Sequence, residues 1–215
     1  MNLSLGYRYF ITPENDFLYG NQTQDAQLFL PSPNLITELN NNWSKTISTT
    51  ASFQYDTTYS VIDAYTANIK WNPDDGKVIN LGFNYQYDLP LLFYAYTPGQ
   101  AFTPTSYENQ YAITVSEQWP IYENKIYAIS SANYDFTRQM LLNVVGGAQY
   151  NGGCYTISAV YQQYIFNYNQ TQSTWMLNFN FKGIGDIGSG DPTTALGMNV
   201  PGYMPMNQIQ SNQTQ

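Results

Sequence analysis

Strict period-two alternation, strands twice the ordinary length, and connections that alternate between short and long together predict an all-β fold. The predicted architecture is an antiparallel transmembrane β-barrel segment of about ten strands. In KVINLGFNYQY (77–87), Ile79, Leu81, Phe83, Tyr85 and Tyr87 share one face, and Asn80, Gly82, Asn84 and Gln86 share the other. Residues two apart in a strand point to the same side, so such a segment has one apolar and one polar face. The same split recurs in KTISTTASFQYD (45–56), YAITVSEQW (111–119), CYTISAVYQQY (154–164) and STWMLNFNF (173–181).

Taken in order, strands are predicted near 2–11, 34–43, 45–56, 60–71, 77–88, 107–119, 124–135, 139–150, 154–166 and 173–183. Several run to nine residues or more, which is what a tilted bilayer crossing requires. Short connections follow Trp43, Trp71 (NPDDG), Trp119 (PIYEN) and Tyr150 (NGG), whereas 12–33 and 89–106 are long loops. Membrane barrels place short turns on the periplasmic side and longer loops outside, which puts the C-terminus in the periplasm. Residues 1–183 are therefore expected to be transmembrane strands, and 184–215 a periplasmic tail. Directly after Met1, NLSLGYRYF alternates like the middle of a strand, as if cut from a longer protein.

Tryptophan placement follows the same parity. Trp43, Trp71 and Trp119 fall at the periplasmic ends of their strands, and Trp175 opens the last strand at the outer rim. Two aromatic girdles produce that pattern. Charged residues are only 10% of the chain, with 21 tyrosines, no histidine and a net charge of −8. That balance argues against a nucleic-acid partner, because there is no basic face to release counterions.

Without histidine, Ser-His-Asp and Cys-His nucleophilic sites and histidine-based zinc sites are excluded, and neither an enzyme nor a cofactor is expected. Asp56, Asp63, Asp88, Glu108 and Asp135 gather near the predicted outer rim and read as solvated charges; the alternatives are a paired-carboxylate hydrolase or cation binding. KGIGDIGSGDP (182–192) contains a literal GxGxxG, but the required helix does not follow and Asp186 would repel phosphate. The segment reads as a flexible exit from the last strand. Arg8, Lys70 and Lys182 lie on polar strand faces and are expected in the lumen, paired with acids such as Glu38 or guiding an anionic ligand.

The stretches WSKTISTTASFQYDTTYS, NIKWNPDDGKVINLGFNYQY, ITVSEQWPIYENKIYAISSANYDFTRQMLLNVVGGAQYNGGCYTISAVYQQY, and LNFNFKGIGDIGSG followed by NVPGY occur in that order between about residues 33 and 203. Together they resemble the C-terminal barrel region of the lipopolysaccharide-assembly LptD (Imp/OstA) family. The resemblance implies a very large barrel in the outer membrane of a Gram-negative bacterium. Lipopolysaccharide (LPS) would arrive from the periplasmic bridge through an N-terminal domain. It would enter the outer leaflet through a lateral seam between the first and last strands. A lipoprotein plug, LptE, would fill the lumen. On that mapping 173–183 is one side of the seam, with Trp175, Leu177, Phe179 and Phe181 facing outer-membrane lipids.

Family members often carry two adjacent cysteines at the position of Gly153-Cys154, each bonded to the N-terminal region. Here only Cys154 remains, so the resemblance implies at most one disulfide from this hairpin. The other reading of Cys154 is a buried unpaired thiol on the inward face with Thr156, Ser158 and Gln162. The rival to the translocon is an autonomous small outer-membrane barrel acting as porin, adhesin or rim-sited hydrolase.

Overall fold

The computed structural model describes residues 2–8, 34–57, 60–90, 107–167, 170–181, 183–190, 192–206 and 208–209. The expected loops 12–33 and 89–106 lie outside the described residues, except for Leu89 and Pro90. The ten expected strands are all present. They are β1 (Asn2–Arg8), β2 (Asn34–Asn42), β3 (Ile47–Asp56), β4 (Val61–Asp74), β5 (Lys77–Pro90), β6 (Tyr107–Tyr122), β7 (Ile126–Asp135), β8 (Met140–Asn151), β9 (Tyr155–Asn167) and β10 (Gln170–Phe181). Each pairs antiparallel with its sequence neighbours in one open sheet, a β-barrel segment whose two ends do not meet. Among the described residues no helix is long and apolar enough to cross a membrane.

An eleventh strand, β11 (Gly185–Ser189), continues the order beyond β10. The flexible exit expected there is therefore a paired strand, with Phe181 opposite Gly185 and Leu177 opposite Ser189. Of its two glycines, Gly188 is required by close approach to β10. A side chain at Gly188 would run into the Leu177 carbonyl of β10. A short helix, α1 (Pro192–Asn199), follows, and the chain from there to Ile209 packs on one face of the sheet. That face is called the inner face below.

The β7–β8 turn corrects the reading of the acids as solvated rim charges. Asp135 is fully buried and Asp56 nearly so. One Asp135 carboxylate oxygen accepts the backbone N–H groups of Thr137 (2.9 Å) and Arg138 (3.1 Å), and the other accepts Gln110 Nε2 (3.1 Å). Arg138 Nε lies 3.9 Å away. A carboxylate held this way organises a turn, because each buried donor needs an acceptor. Asp63, half-buried, accepts a hydrogen bond from Gln54. The side chains of Asp88 and Glu108 lie outside the described residues. Asp135→Ala is expected to destabilise the sheet by about 2–3 kcal/mol, since three donors lose one acceptor. Denaturant unfolding checks this, and Asp74→Ala at an exposed turn serves as the neutral comparison.

Candidate functional site

The site is the inner face and the chain segment seated on it. Following cross-strand partners from β5 to β10 gives one row, Val78, Gln118, Ile129, Gly147, Val160 and Met176. The next row is Asn80, Ser116, Ser131, Val145, Gln162 and Thr174. Val78, Ile129, Val160 and Met176 are apolar residues on a face that is mostly amide and hydroxyl. All four are buried, together with Tyr127 and Val145.

They are covered by the C-terminal segment. Leu196, Val200, Met206 and Ile209 are buried with them in one cluster, and Ala195, Tyr203 and Met204 pack at its edge. Polar groups of the sheet hold the backbone between these anchors. Gln118 donates to the Met204 carbonyl (2.8 Å) and accepts the Met204 N–H (2.9 Å). Asn80 donates to the Pro201 carbonyl (3.0 Å), and Gln149 donates to the Tyr203 hydroxyl (2.8 Å). Asn143 donates to Asn199 Oδ1, which fixes the end of α1. Buried amides placed this way satisfy backbone groups that an apolar sheet would strand.

The opposite face is apolar. Trp175, Leu177, Phe179 and Phe181 of β10 are all exposed there, as are Leu81 and Val115. Tyr65 stacks on Phe83 and Tyr85, which in turn meets Tyr111, with ring centroids 4.9–5.5 Å apart. Trp71 and Trp119 meet at 5.6 Å, Trp175 packs on Tyr161 at 4.9 Å, and Trp43 donates its indole N–H to Thr49. One carboxylate, Glu117, belongs to this face, in register with Ile79 and Ser130, and accepts from the Ser130 hydroxyl. Trp71 and Trp175 lie in the same cross-strand row, six strands apart. Strand tilt near 40° at a spacing of 4.8 Å would carry such a row roughly 18 Å along a barrel axis.

The expected lumenal charges are not brought together. Lys70 lies in the Asn80 row and Glu38 in a different row, opposite Ser4 and Ser52. The side chain of Arg8, and Lys182 as a whole, lie outside the described residues.

Cys154 precedes β9 in the hairpin after β8 and is exposed, so the buried-thiol reading does not hold. Asn151 Oδ1 accepts the Gly153 N–H at 2.9 Å, and Gly153 has φ of +88°. A second cysteine in place of Gly153 would sit in the left-handed region that glycine alone occupies without strain.

Sequence reasoning placed none of Leu196, Val200, Met206 or Ile209 in the site. The available signal was the set of inward apolar residues at one level, which a wholly hydrated face would not carry. Gln118→Leu keeps the volume and removes both bonds to Met204. Amide exchange at Met204 is expected to quicken about 30- to 100-fold, an effect of roughly 2–3 kcal/mol, with β6 amides unchanged.

The sequence matches the family described as "LptD: LPS transport system D" over residues 1–125. It is similar to LPS-assembly protein LptD of Cupriavidus metallidurans, at 31% identity over 65% of this chain and 17% of that one. The LptD of Chromobacterium violaceum is 25% identical over 83% of this chain and 21% of the relative. The LptD of Thiobacillus denitrificans is 25% identical over 97% of this chain and 25% of the relative. The chain thus spans a quarter or less of the length of these curated relatives.

Proposed function

The chain belongs to the LptD family, and from that premise we propose that it forms part of the outer-membrane LPS translocon of a Gram-negative bacterium. The observation that carries the proposal is the two-faced sheet. Strands of nine to sixteen residues from β2 to β10 carry aromatic and aliphatic side chains on one face and mostly amides and hydroxyls on the other. That is the surface of a barrel between lipid and water. The strands through β11 are its wall, and the chain from Pro192 enters the lumen from the periplasmic side. Trp43, Trp71 and Trp119 mark the periplasmic girdle and Trp175 the outer one. Lys70 and Glu38 face the lumen. The chain is a conduit rather than an enzyme.

The β10–β11 end is one side of the lateral seam through which lipid A leaves the lumen. β11 covers β10 only from Leu177 to Phe181, so the seam opens along Gln170–Met176. The other side is a strand outside this chain. Partners on this reading are LPS, an LptE-like plug and the periplasmic bridge. A photo-crosslinking residue at Trp175 in the whole protein is expected to trap LPS, whereas one at Leu81, far from the seam, is not. Equal yields at both places, or unchanged surface LPS after depletion, would overturn the proposal in favour of a porin or adhesin.

Cys154, exposed on the periplasmic hairpin, bonds a cysteine of the N-terminal region in the oxidising periplasm. Cys154→Ser should abolish the mobility difference between reduced and non-reduced whole protein. Unchanged mobility sinks that bridge.

A further inference from the structure

The C-terminal segment occupies space that the proposed function needs open. The inner face of a translocating barrel is a passage, yet from β5 to β10 its row of Val78, Ile129, Val160 and Met176 lies under Leu196, Val200, Met206 and Ile209. The segment reaches across these strands. At one end Gly190 packs beside Met176 of β10, and at the other Ile209 lies against Gly76 in the β4–β5 turn, where a Cβ would approach its Cδ1 to 2.6 Å. Midway, both Met204 backbone groups are bound by Gln118. We propose that Pro192–Ile209 is a strap that lies inside the barrel and narrows its own lumen along β5–β10.

Two features support a seated strap over a docking tail. Its apolar residues and the sheet's are matched, and each set would otherwise face water at a cost of about 1.5–3 kcal/mol per side chain. Its contacts are also tied to register: Asn80, Gln118 and Gln149 stand on three different strands and hold three separate points of the segment. The closure is partial. A polar cavity of about 430 Å³ remains between the segment and β8–β11, lined by Gln149, Ser158, Asn178, Asp186 and Tyr203 among others. The segment therefore leaves that part of the inner face uncovered.

The proposal rests on the barrel reading, and the test separates the two. The whole outer-membrane protein is purified and reconstituted in planar bilayers. Failure to insert under any condition counts against the barrel and leaves no lumen to narrow. With inserted protein, methionine oxidation by peroxide is read residue by residue. Met198 is 80% exposed, whereas Met206 is 4% and Met176 is 8% exposed. Met206 and Met176 are expected to oxidise at least about tenfold more slowly than Met198. Met206 reacting as fast as Met198 overturns the strap.

Val200→Asp alters no strand residue but places a charge in the cluster. It is expected to bring Met176 oxidation up to the Met198 rate and to raise single-channel conductance by about threefold or more. Met176 becoming reactive with conductance unchanged overturns the narrowing. Met176 remaining protected overturns the assignment of the apolar cluster as what seats the strap.

Discussion

An antiparallel ladder in which every strand bonds to its sequence neighbours decides which side chains stand level on each face. A shift of one residue between any two strands would move a whole strand's apolar set to the other side. The register therefore places Val78, Ile129, Val160 and Met176 in one row though they are far apart in sequence. That row creates the surface on which Leu196, Val200, Met206 and Ile209 settle. The cover depends on the row, and the row depends on the ladder.

Polar side chains on the inner face serve two purposes for the same reason. Gln118 stands in the apolar row yet is fully buried, because its amide can both donate to and accept from one backbone residue, Met204. An aliphatic chain would leave both groups unpaired. Asn80 bridges by donating twice from Nδ2, to the Ser116 hydroxyl within the sheet and to the Pro201 carbonyl beyond it. The abundance of Asn and Gln in this low-charge chain thus supplies two-sided hydrogen bonding where a buried charge would need a partner ion.

Membership of the LptD family and the two-faced sheet converge on one picture. The outer face is largely apolar, with residues such as Glu117 and Ser130 as exceptions, and the inner face is largely polar apart from the covered row and its neighbours Val145 and Tyr127. Each departure has a local answer: Ser130 bonds Glu117, and the C-terminal segment shields the row.

Alternation in KVINLGFNYQY and its counterparts was enough to locate ten strands, their antiparallel order and their outward aromatics, because a period of two is a local property of the backbone. The sequence also carried the family resemblance and the hairpin before Cys154, though not the exposure of its thiol. It did not reveal β11, since GIGDIGS has too few side chains to show alternation and its approach to β10 depends on the missing side chain at Gly188. Nor did it reveal that Asp135 is a buried turn organiser, since a lone acid after a strand looks the same whether water or backbone N–H groups surround it. The seat of Pro192–Ile209 was decided by tertiary structure alone. Its binding surface is assembled from six strands, and no local stretch of chain contains it.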